Sequence, residues 1–138
     1  GDFLFQLQAL SSVPVYEQIV DQTERLVLCG ILTEGSAMPS VRSLSIQLSV
    51  NPNTIQKAYT ELDARGVLCA VPGKGCFIAS GARSRLTEMQ RTQLPDLTRR
   101  IEEFALAGIP KEEIIFCVNK AYEEGNRHDS SDQRDQEI

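Results

Sequence analysis

Four polar side chains within five consecutive positions carry the clearest chemistry in this sequence. Asn53, Thr54, Gln56 and Lys57 supply amide, hydroxyl and ammonium groups. An amide side chain can donate and accept hydrogen bonds together at an adenine edge, and a lysine can reach guanine or a phosphate. Because the solvated face of an ordinary helix can have the same composition, the neighbouring elements must decide between the two interpretations.

The sequence offers no comparable set of groups for catalysis or metal binding. Its only histidine, His128, lies in a polar C-terminal stretch, so no Ser-His-Asp set can be assembled. Glutamate pairs such as Glu102 and Glu103 fall on polar helix faces, where solvation is their ordinary role. No CxxC spacing connects the four cysteines, which are Cys29, Cys69, Cys76 and Cys117. We therefore expect a protein that is not an enzyme and that uses neither a metal nor a cofactor.

The helix that presents the four polar side chains has well-defined boundaries in the sequence. Asn51 is a strong N-cap, Pro52 suits the first helical position, and Gly66 suits the end. Apolar residues recur at helical spacing on the opposite face, and they are Ile55, Ala58, Tyr59 and Leu62. The pattern predicts a helix with one face in a core and a polar face left exposed.

A shorter helix precedes it, separated by a tight polar turn. Ser40 is its predicted N-cap, and Arg42 points outward beside that cap. The inner face consists of Val41, Leu44 and Leu48. Residues 49–51 form the turn, in which Val50 is expected to fill the angle between the two helices.

The N-terminal part of the chain predicts a supporting helix and a short arm. Ser12 is the expected N-cap, Pro14 falls in the first turn, and Gly30 follows the last turn. The apolar stripe of this helix is Tyr16, Ile19, Val20, Thr23, Leu26 and Val27. Alternating apolar residues at 3–7 indicate an arm that packs on the domain or on a partner chain. Residues 31–32 are expected to be extended.

A hairpin follows the polar helix. Residues 67–68 and 76–78 have the composition of strands, and Pro72-Gly73-Lys74-Gly75 forms the tip. The two glycines permit a close backbone approach, and Lys74 can meet a phosphate or enter a minor groove. Helix, turn, helix and hairpin in this order favour a DNA-reading element over a merely solvated helix face.

Two cysteines of the hairpin raise the alternative of a thiol redox-responsive regulator. If the chain reverses at Gly73-Lys74, Val71 faces Cys76, and Cys69 lies diagonally across from Cys76. Diagonal pairs are about 7–8 Å apart, which is beyond the usual reach of a disulfide. Ordinary packing is the favoured interpretation, and the redox role stays an alternative.

The C-terminal third divides from the rest at a small, polar linker, residues 80–84. We expect a DNA-binding domain at 1–80, a helical dimerisation segment at 81–125 and a disordered acidic tail at 126–138. Pro95 either kinks a helix or separates one that ends near Gln93 from another that begins at Pro95. Gly125 is the expected end of the last helix.

The two predicted C-terminal helices carry more apolar surface than they can bury alone. The expected dimerisation residues are Leu97, Ile101, Phe104, Ile114, Val118 and Tyr122. A second copy of the chain is the economical partner, and a two-fold dimer would place two recognition helices about 34 Å apart. The seam between the copies could hold a small-molecule effector, although no residue specifies one.

Charge is distributed unevenly along the chain. The net charge of the whole sequence is −5, which argues mildly against nucleic acid as a partner. Between residues 39 and 80 the balance reverses to a surplus of two positive charges, because the charged residues there are Arg42, Lys57, Arg65, Lys74, Glu61 and Asp63. So small a surplus makes one copy a weak DNA ligand, which again favours a pair.

The stretch PSVRSLSIQLSVNPNTIQKAYTELDARGVLCAVPGKGCFI resembles the winged helix-turn-helix of the GntR family of bacterial transcription regulators. The PVYEQI, VNPNT and AYTEL motifs are most similar to its short YtrA-like branch. The resemblance covers residues 14–78 and implies a mainly α fold with a small β-hairpin: an N-terminal winged helix-turn-helix followed by a C-terminal helical hairpin for dimerisation. We therefore expect neither the large effector domain nor the aminotransferase-like domain of the longer branches, for which 138 residues leave no room.

The resemblance also implies a function. It indicates a cytoplasmic, sequence-specific DNA-binding regulator without a membrane span. Such a regulator would be a repressor that binds a palindromic operator as a homodimer, and in the short branch often one that controls a transporter operon. By position, the DNA-binding residues it implies are Ser40, Arg42, Asn53, Thr54, Gln56, Lys57, Gly73 and Lys74. Arg42 and Lys74 would address phosphates or groove edges, and Asn53, Gln56 and Lys57 would read bases.

Three residues or segments depart from the family pattern without altering the expected fold: the less basic wing weakens the expected phosphate contacts, and the change at Ser43 weakens a capping box. Residues 70–72 replace a more basic approach to the wing, Cys76 stands where threonine is common, and Ser43 replaces an acidic residue. A winged helix can also bind proteins, so a protein-interaction module without operator binding remains the second alternative.

Overall fold

The structure, a computed structural model, describes the backbone of residues 5–136 and the side chains of residues 5–125. Within those residues the elements in chain order are α1 Val15–Leu28, α2 Val41–Leu48, α3 Pro52–Ala64, β1 Leu68–Val71, β2 Gly75–Ile78, α4 Ala82–Arg91, α5 Leu94–Leu106 and α6 Lys111–Gln136. The chain forms two compact units, Gly1–Met89 and Gln90–Ile138. The expected class, mainly α with one small hairpin, is confirmed.

The first unit is built around α3, whose apolar face packs against α1, α2 and the hairpin. Ile55, Ala58, Tyr59 and Leu62 are all buried, as their spacing predicts. The other buried apolar side chains of this core are Phe5, Ile19, Val20, Val27, Leu32, Met38, Leu44, Val67, Leu68, Ile78, Ala82 and Leu86. Such a core fixes the polar face of α3 on a rigid support.

The N-terminal arm is held against α1 by side-chain amides. Phe5 is buried in the core, and the backbone of Gln6 and Gln8 exchanges hydrogen bonds with the side chains of Gln22 and Gln18, respectively. Packing of the arm on its own domain is therefore confirmed for its described residues, although residues 1–4 lie outside the described part. Residues 5–8 form no strand, because the amide pairs replace ladder bonds to a neighbouring strand.

Two local expectations for the segment around α1 are wrong. Ser12 does not cap α1, because the N-cap position is Pro14 and no side-chain cap bond is formed. Residues 31–32 lie in a bend, and the extended piece falls later, where Ala37 bridges Phe77 beside β2. Hydrogen bonds from Met38 N to Cys76 O (2.8 Å) and from Ile78 N to Ser36 O (2.8 Å) hold this segment against the hairpin.

The hairpin register differs by one residue from the one expected. Val71 pairs with Gly75 and Ala70 pairs with Cys76, since three residues rather than two form the loop. Cys69 pairs with Phe77. Opposite residues share a face and neighbours alternate, so Cys69 and Cys76 point to opposite faces of the hairpin. This arrangement removes the geometric basis for a disulfide between them.

A helix, α4, starts within the expected linker at residues 80–84. Ala82 begins α4 and is fully buried, and Leu86 joins the same core. The small residues at this point permit close packing of the helix start against the core. The two compact units divide after Met89. The physical boundary therefore lies within α4 rather than before it.

The second unit contains α5 and α6, joined at Gly108 and Pro110. Of the two alternatives at Pro95, the structure has the break: α4 ends at Arg91, and α5 begins at Leu94 with Pro95 in its first turn. The expected end of the last helix at Gly125 is wrong, because α6 continues to Gln136. One glycine costs a helix only about 1 kcal/mol relative to alanine, and no proline follows it.

The expected disordered tail is wrong for its described residues. Residues 126–136 belong to α6, whereas residues 137–138 lie outside the described part. Acidic and polar composition lowers the incentive to bury a segment but does not prevent a helix from extending. Over the residues described, none of the helices combines the length and apolar character needed to cross a membrane.

Candidate nucleic-acid interface

The two helices of the helix-turn-helix begin at points fixed by side-chain caps. Ser40 Oγ accepts a hydrogen bond from the Ser43 amide at 3.0 Å, and Asn51 Oδ1 accepts one from the Asn53 amide at 2.8 Å. Both caps confirm the expected helix starts, and Pro52 occupies the first turn of α3. The cap at Asn51 orients the exposed polar residues that follow immediately.

The turn between α2 and α3 is closed by hydrogen bonds rather than by apolar packing alone. Ser49 adopts a left-handed conformation with φ 54°, and the Ser45 hydroxyl donates to the Val50 carbonyl at 2.6 Å. Tyr59 donates from its hydroxyl to the Pro39 carbonyl at 2.7 Å. The last bond ties α3 directly to the residue before the α2 cap, so the two helix starts are held in a common frame.

The predicted base-reading residues are mostly exposed at the start of α3. Asn53 and Gln56 are exposed, and Thr54 is half-buried. Gln56 Nε2 donates to Thr60 Oγ1 at 3.2 Å, which orients its amide along the helix. Arg42 is exposed on the first turn of α2.

Lys57 lies apart from this group. Its Nζ stands 4.0 Å from the centroid of the Tyr16 ring, over the face of an aromatic side chain on α1. A cation–π contact of this kind contributes about 0.5–1 kcal/mol at an exposed site. In the observed rotamer Lys57 supports the α1–α3 pairing, and it would have to turn away from Tyr16 to reach a base.

A groove of about 510 Å³ runs between α3, the start of α2 and the hairpin. It brings together Ser40, Gln56 and Gly75, three sites that are distant in sequence. The full lining is Pro39, Ser40, Val41, Gln56, Tyr59, Thr60, Asp63, Ala64, Ala70, Gly75 and Cys76. The candidate interface thus includes a concave surface whose two walls are α3 and the wing.

Two groove residues, Thr60 and Asp63, were absent from the sequence-based site. They follow Gln56 at i+4 and i+7, so the helical period alone places them on one face with it. The helical period is therefore the sequence signal that identifies both residues once Gln56 belongs to the site. The Asp63 carboxylate would repel a nearby phosphate, so the groove is better suited to bases than to the DNA backbone.

The wing tip has the backbone geometry that its glycines allow. Gly73 and Gly75 have φ of 76° and 115°, and the Lys74 amide donates to the Val71 carbonyl at 3.0 Å. Lys74 itself is exposed. A side chain at either glycine would be strained whatever the space around it, so glycine is the residue that suits this loop.

Cys76 lies in the groove in a poorly reactive state. Burial raises the pKa of its thiol, and the Asp63 carboxylate and the Cys69 thiol raise it further. A raised pKa lowers the thiolate fraction, which is the reactive form. Together with the opposite orientation of Cys69, this argues against the redox-responsive alternative.

A charged cluster joins α3 to α1 behind the interface. Arg65 bonds Glu24 through Nη1 and Glu61 through Nε, each at 2.9 Å. Burial raises the pKa of Glu24, while the Arg65 guanidinium opposes that shift and the Asp21 carboxylate adds to it. Among the described residues, no group of three or more His, Cys, Asp or Glu side chains could hold a metal ion.

Known proteins match this chain in sequence and in fold. The family described as bacterial regulatory proteins, gntR family, matches residues 15–78. The HTH-type transcriptional repressor YtrA of Bacillus subtilis is 37% identical over 112 residues, which cover 80% of this chain and 86% of that protein. The uncharacterized regulator YhcF of the same organism is 36% identical over 121 residues, which cover 86% of this chain and 97% of that protein.

Solved structures agree with these relatives. A transcriptional regulator from Oenococcus oeni is 38% identical with a TM-score of 0.68, and the match covers 86% of this chain and 99% of that one. A GntR family regulator from Listeria monocytogenes is 35% identical with a TM-score of 0.63, and the match covers 80% of this chain and 96% of that one. These are transcription regulators rather than enzymes. The chain therefore belongs to the GntR family and is a DNA-binding transcriptional regulator of the YtrA type.

Proposed function

We propose that this chain is a cytoplasmic repressor that binds a palindromic operator as a homodimer, with a transporter operon as its target. The observation that carries the proposal is the apolar surface of the second unit. Helix α5 carries a regular apolar stripe, yet none of its side chains is buried among the described residues. Leu97, for example, is 52% exposed. A second copy of the same surface is the simplest cover.

The proposed dimer surface follows the expected stripe on both helices of the second unit. Val118 is 46% and Tyr122 is 72% exposed on α6, whereas Ile101, Phe104 and Ile114 are half-buried. Burying apolar area contributes about 25 cal/mol per Å², so covering these side chains in a pair of copies would favour association. The seam between the copies is also where a small apolar effector would bind.

The proposed DNA contacts divide by chemistry. Asn53 and Gln56 would read base edges, because their amides can form paired hydrogen bonds with adenine. Arg42 and Lys74 would contact phosphates, with Thr54 and the backbone at Gly73 and Ser40 adding positioning contacts. Lys57 would join the base readers only after leaving the Tyr16 ring. The repressor role is supported by the similarity to YtrA of Bacillus subtilis, which is a transcriptional repressor.

A salt titration of DNA binding tests the proposal. The probe is the DNA immediately upstream of the chain's own gene, and the competitor is a duplex of scrambled sequence. The affinity for the probe should fall steeply with salt, and footprinting should show two protected half-sites about 34 Å apart. An affinity that does not change with salt concentration, or an equal affinity for probe and competitor, would favour a protein-interaction module instead.

Two variants separate the proposed roles. Gln56→Ala should relax base preference at one position in each half-site, at a cost of about 1–3 kcal/mol in discrimination. Lys74→Ala should weaken binding to all sequences alike and reduce the salt slope by about one per chain. Gln90→Ala, which removes the same amide from an exposed residue of α4, is the control and should change neither quantity.

A further inference from the structure

The groove between α3, the start of α2 and the hairpin has the dimensions of a small-molecule site. Its volume is about 510 Å³, and pockets that hold compounds of drug size usually measure about 300–1,000 Å³. Such pockets combine mostly apolar walls with a few polar groups that orient the ligand. This groove has the same composition, because apolar side chains line it from all three elements and three of its polar side chains lie together on α3.

Three oxygen acceptors follow one another along the α3 wall of the groove. Gln56, Thr60 and Asp63 all line it, and their spacing of i, i+4 and i+7 places them on one face of the helix. Gln56 Nε2 donates to Thr60 Oγ1 at 3.2 Å, so the amide oxygen of Gln56 can still accept a further bond. An ammonium group has three N–H donors and no acceptor. This row of oxygens therefore suits an ammonium group better than it suits an anion.

Asp63 gives the row its charge. Among the residues that line the groove, it is the only aspartate, glutamate, lysine or arginine. Within the part of the chain whose side chains are described, Asp63 forms no ion pair. Burial is the main cause that raises the pKa of the Cys76 thiol, and the Asp63 carboxylate raises that pKa further, so its field reaches the β2 wall. The groove thus carries one negative charge without a partner, which a bound cation would complement.

The other walls offer apolar contact to the rest of a ligand. Pro39 and Val41 lie at the start of α2, and Ala70 and Cys76 lie on the two strands of the hairpin. Apolar area that is buried against such side chains contributes about 25 cal/mol per Å². A simple inorganic cation gains nothing from these walls. The lining therefore favours a compound that carries its ammonium group on an apolar body.

We propose that this groove binds amphipathic amines, each with one ammonium group on a small apolar body, and that such a ligand excludes DNA from the recognition helix. Exclusion follows from shared residues, because Ser40 and Gln56 line the groove and are also proposed DNA contacts. The exclusion rests on the proposed function, whereas binding of the amine does not. All of the lining residues belong to the first unit, so the site needs no second copy of the chain.

Alkylation of cysteines reports occupancy of the groove. The probe is octylammonium chloride, and the reporter is Cys76, which lines the groove. Cys69 is the internal reference, because it is exposed and points to the other face of the hairpin. In the full chain, the probe at about ten times its dissociation constant should slow the reaction of Cys76 with iodoacetamide about tenfold and leave Cys69 unaffected. Peptide mass spectrometry measures both rates, and an unchanged rate at Cys76 would overturn the inference.

Matched compounds and variants test whether the carboxylate selects the ammonium group. Octanol and octanoate lack the positive charge and should bind at least about tenfold more weakly than octylammonium. Asp63→Asn, at an exposed residue, should weaken octylammonium binding by about 10- to 100-fold. Asp21→Asn makes the same change at an exposed residue of α1 outside the groove and should leave binding unchanged. Equal binding of the three compounds, or unchanged binding in Asp63→Asn, would contradict the assignment to an amine.

Competition with operator DNA tests the exclusion. Octylammonium should release the operator from the parent and from Asp21→Asn at the concentrations that protect Cys76, whereas equal concentrations of ammonium chloride should not. Release from Asp63→Asn should need more of the probe. If the probe protects Cys76 while the operator stays bound to the parent, the exclusion is wrong. If Cys76 is protected but the parent binds no operator at all, the proposed function fails and the amine site stands.

Discussion

The two compact units handle their apolar side chains in opposite ways. In the first unit, Ile55 and Leu62 are completely buried, and polar caps hold the helix starts around them. In the second unit, Leu97 and Val118 are about half exposed. The first unit thus buries its apolar side chains within itself, whereas the second leaves apolar side chains exposed; our proposal assigns the reading of one DNA half-site to the first unit and the pairing of two copies to the second. The predictions below test this difference.

Loss of the proposed dimer should have the largest effect. Leu97→Asp combined with Val118→Asp places charges on the apolar face without disturbing a buried core. We expect a monomer whose operator affinity is lower by about 1,000-fold, because the second half-site is no longer bound intramolecularly. Sedimentation and anisotropy titrations measure both quantities. Leu106→Asp, at an exposed residue outside the stripe, is the control. Unchanged operator affinity in the double variant would contradict the account.

Alanine substitutions should distinguish the two units by their dependence on concentration. Ile55→Ala removes a completely buried side chain of the first unit and should lower the free energy of unfolding by about 3 kcal/mol. That loss should be the same at every protein concentration. Leu97→Ala should cost little in dilute solution and more as the concentration rises, since it acts on association. Chemical denaturation at several concentrations would refute the distinction if both losses stayed constant.

Removing one hydroxyl should loosen the frame between α2 and α3. Tyr59→Phe loses the hydrogen bond to the Pro39 carbonyl and should lower the free energy of unfolding by about 1 kcal/mol. Operator affinity should also fall, because Ser40 and Arg42 lose their fixed position relative to α3. Unchanged stability in Tyr59→Phe would show that this hydrogen bond contributes nothing.

The smallest expected effect is a pH dependence located at Glu24. Burial raises its pKa in the folded chain above the unfolded value, so the folded state binds the proton more tightly. This contribution to stability is present below the unfolded pKa and is lost as the pH rises through the folded pKa. As the pH falls through that window, the parent should gain stability relative to Glu24→Gln. If the free energy of unfolding changed with pH in the same way in both proteins, the predicted contribution of Glu24 would be ruled out.

The sequence predicted the first unit better than the second. Caps at Ser40 and Asn51 and the apolar spacing on α3 are local signals, and they were confirmed. The loop length of the hairpin was wrong by one residue, because Pro-Gly-Lys-Gly satisfies more than one turn. The role of Ala82 and Leu86 was missed because a small, polar stretch has the same composition whether it is a linker or a closely packed helix start.

The candidate site was predictable only in part for a related reason. Side-chain exposure along α3 follows from helical period, so the exposure of Asn53 and Gln56 was predicted correctly. The Tyr16 contact of Lys57 and the groove shared by Ser40, Gln56 and Gly75 depend on how elements pack, which no local pattern encodes.

The most direct test of the central claim is the mass of the complex between the full chain and its operator duplex. Light scattering at limiting duplex should show two copies of the 15.3 kDa chain bound cooperatively to each operator. The Leu97→Asp, Val118→Asp variant should show single copies bound weakly and independently. One parent chain per operator, with the affinity retained in that variant, would contradict the proposal that the second unit pairs two DNA-reading platforms.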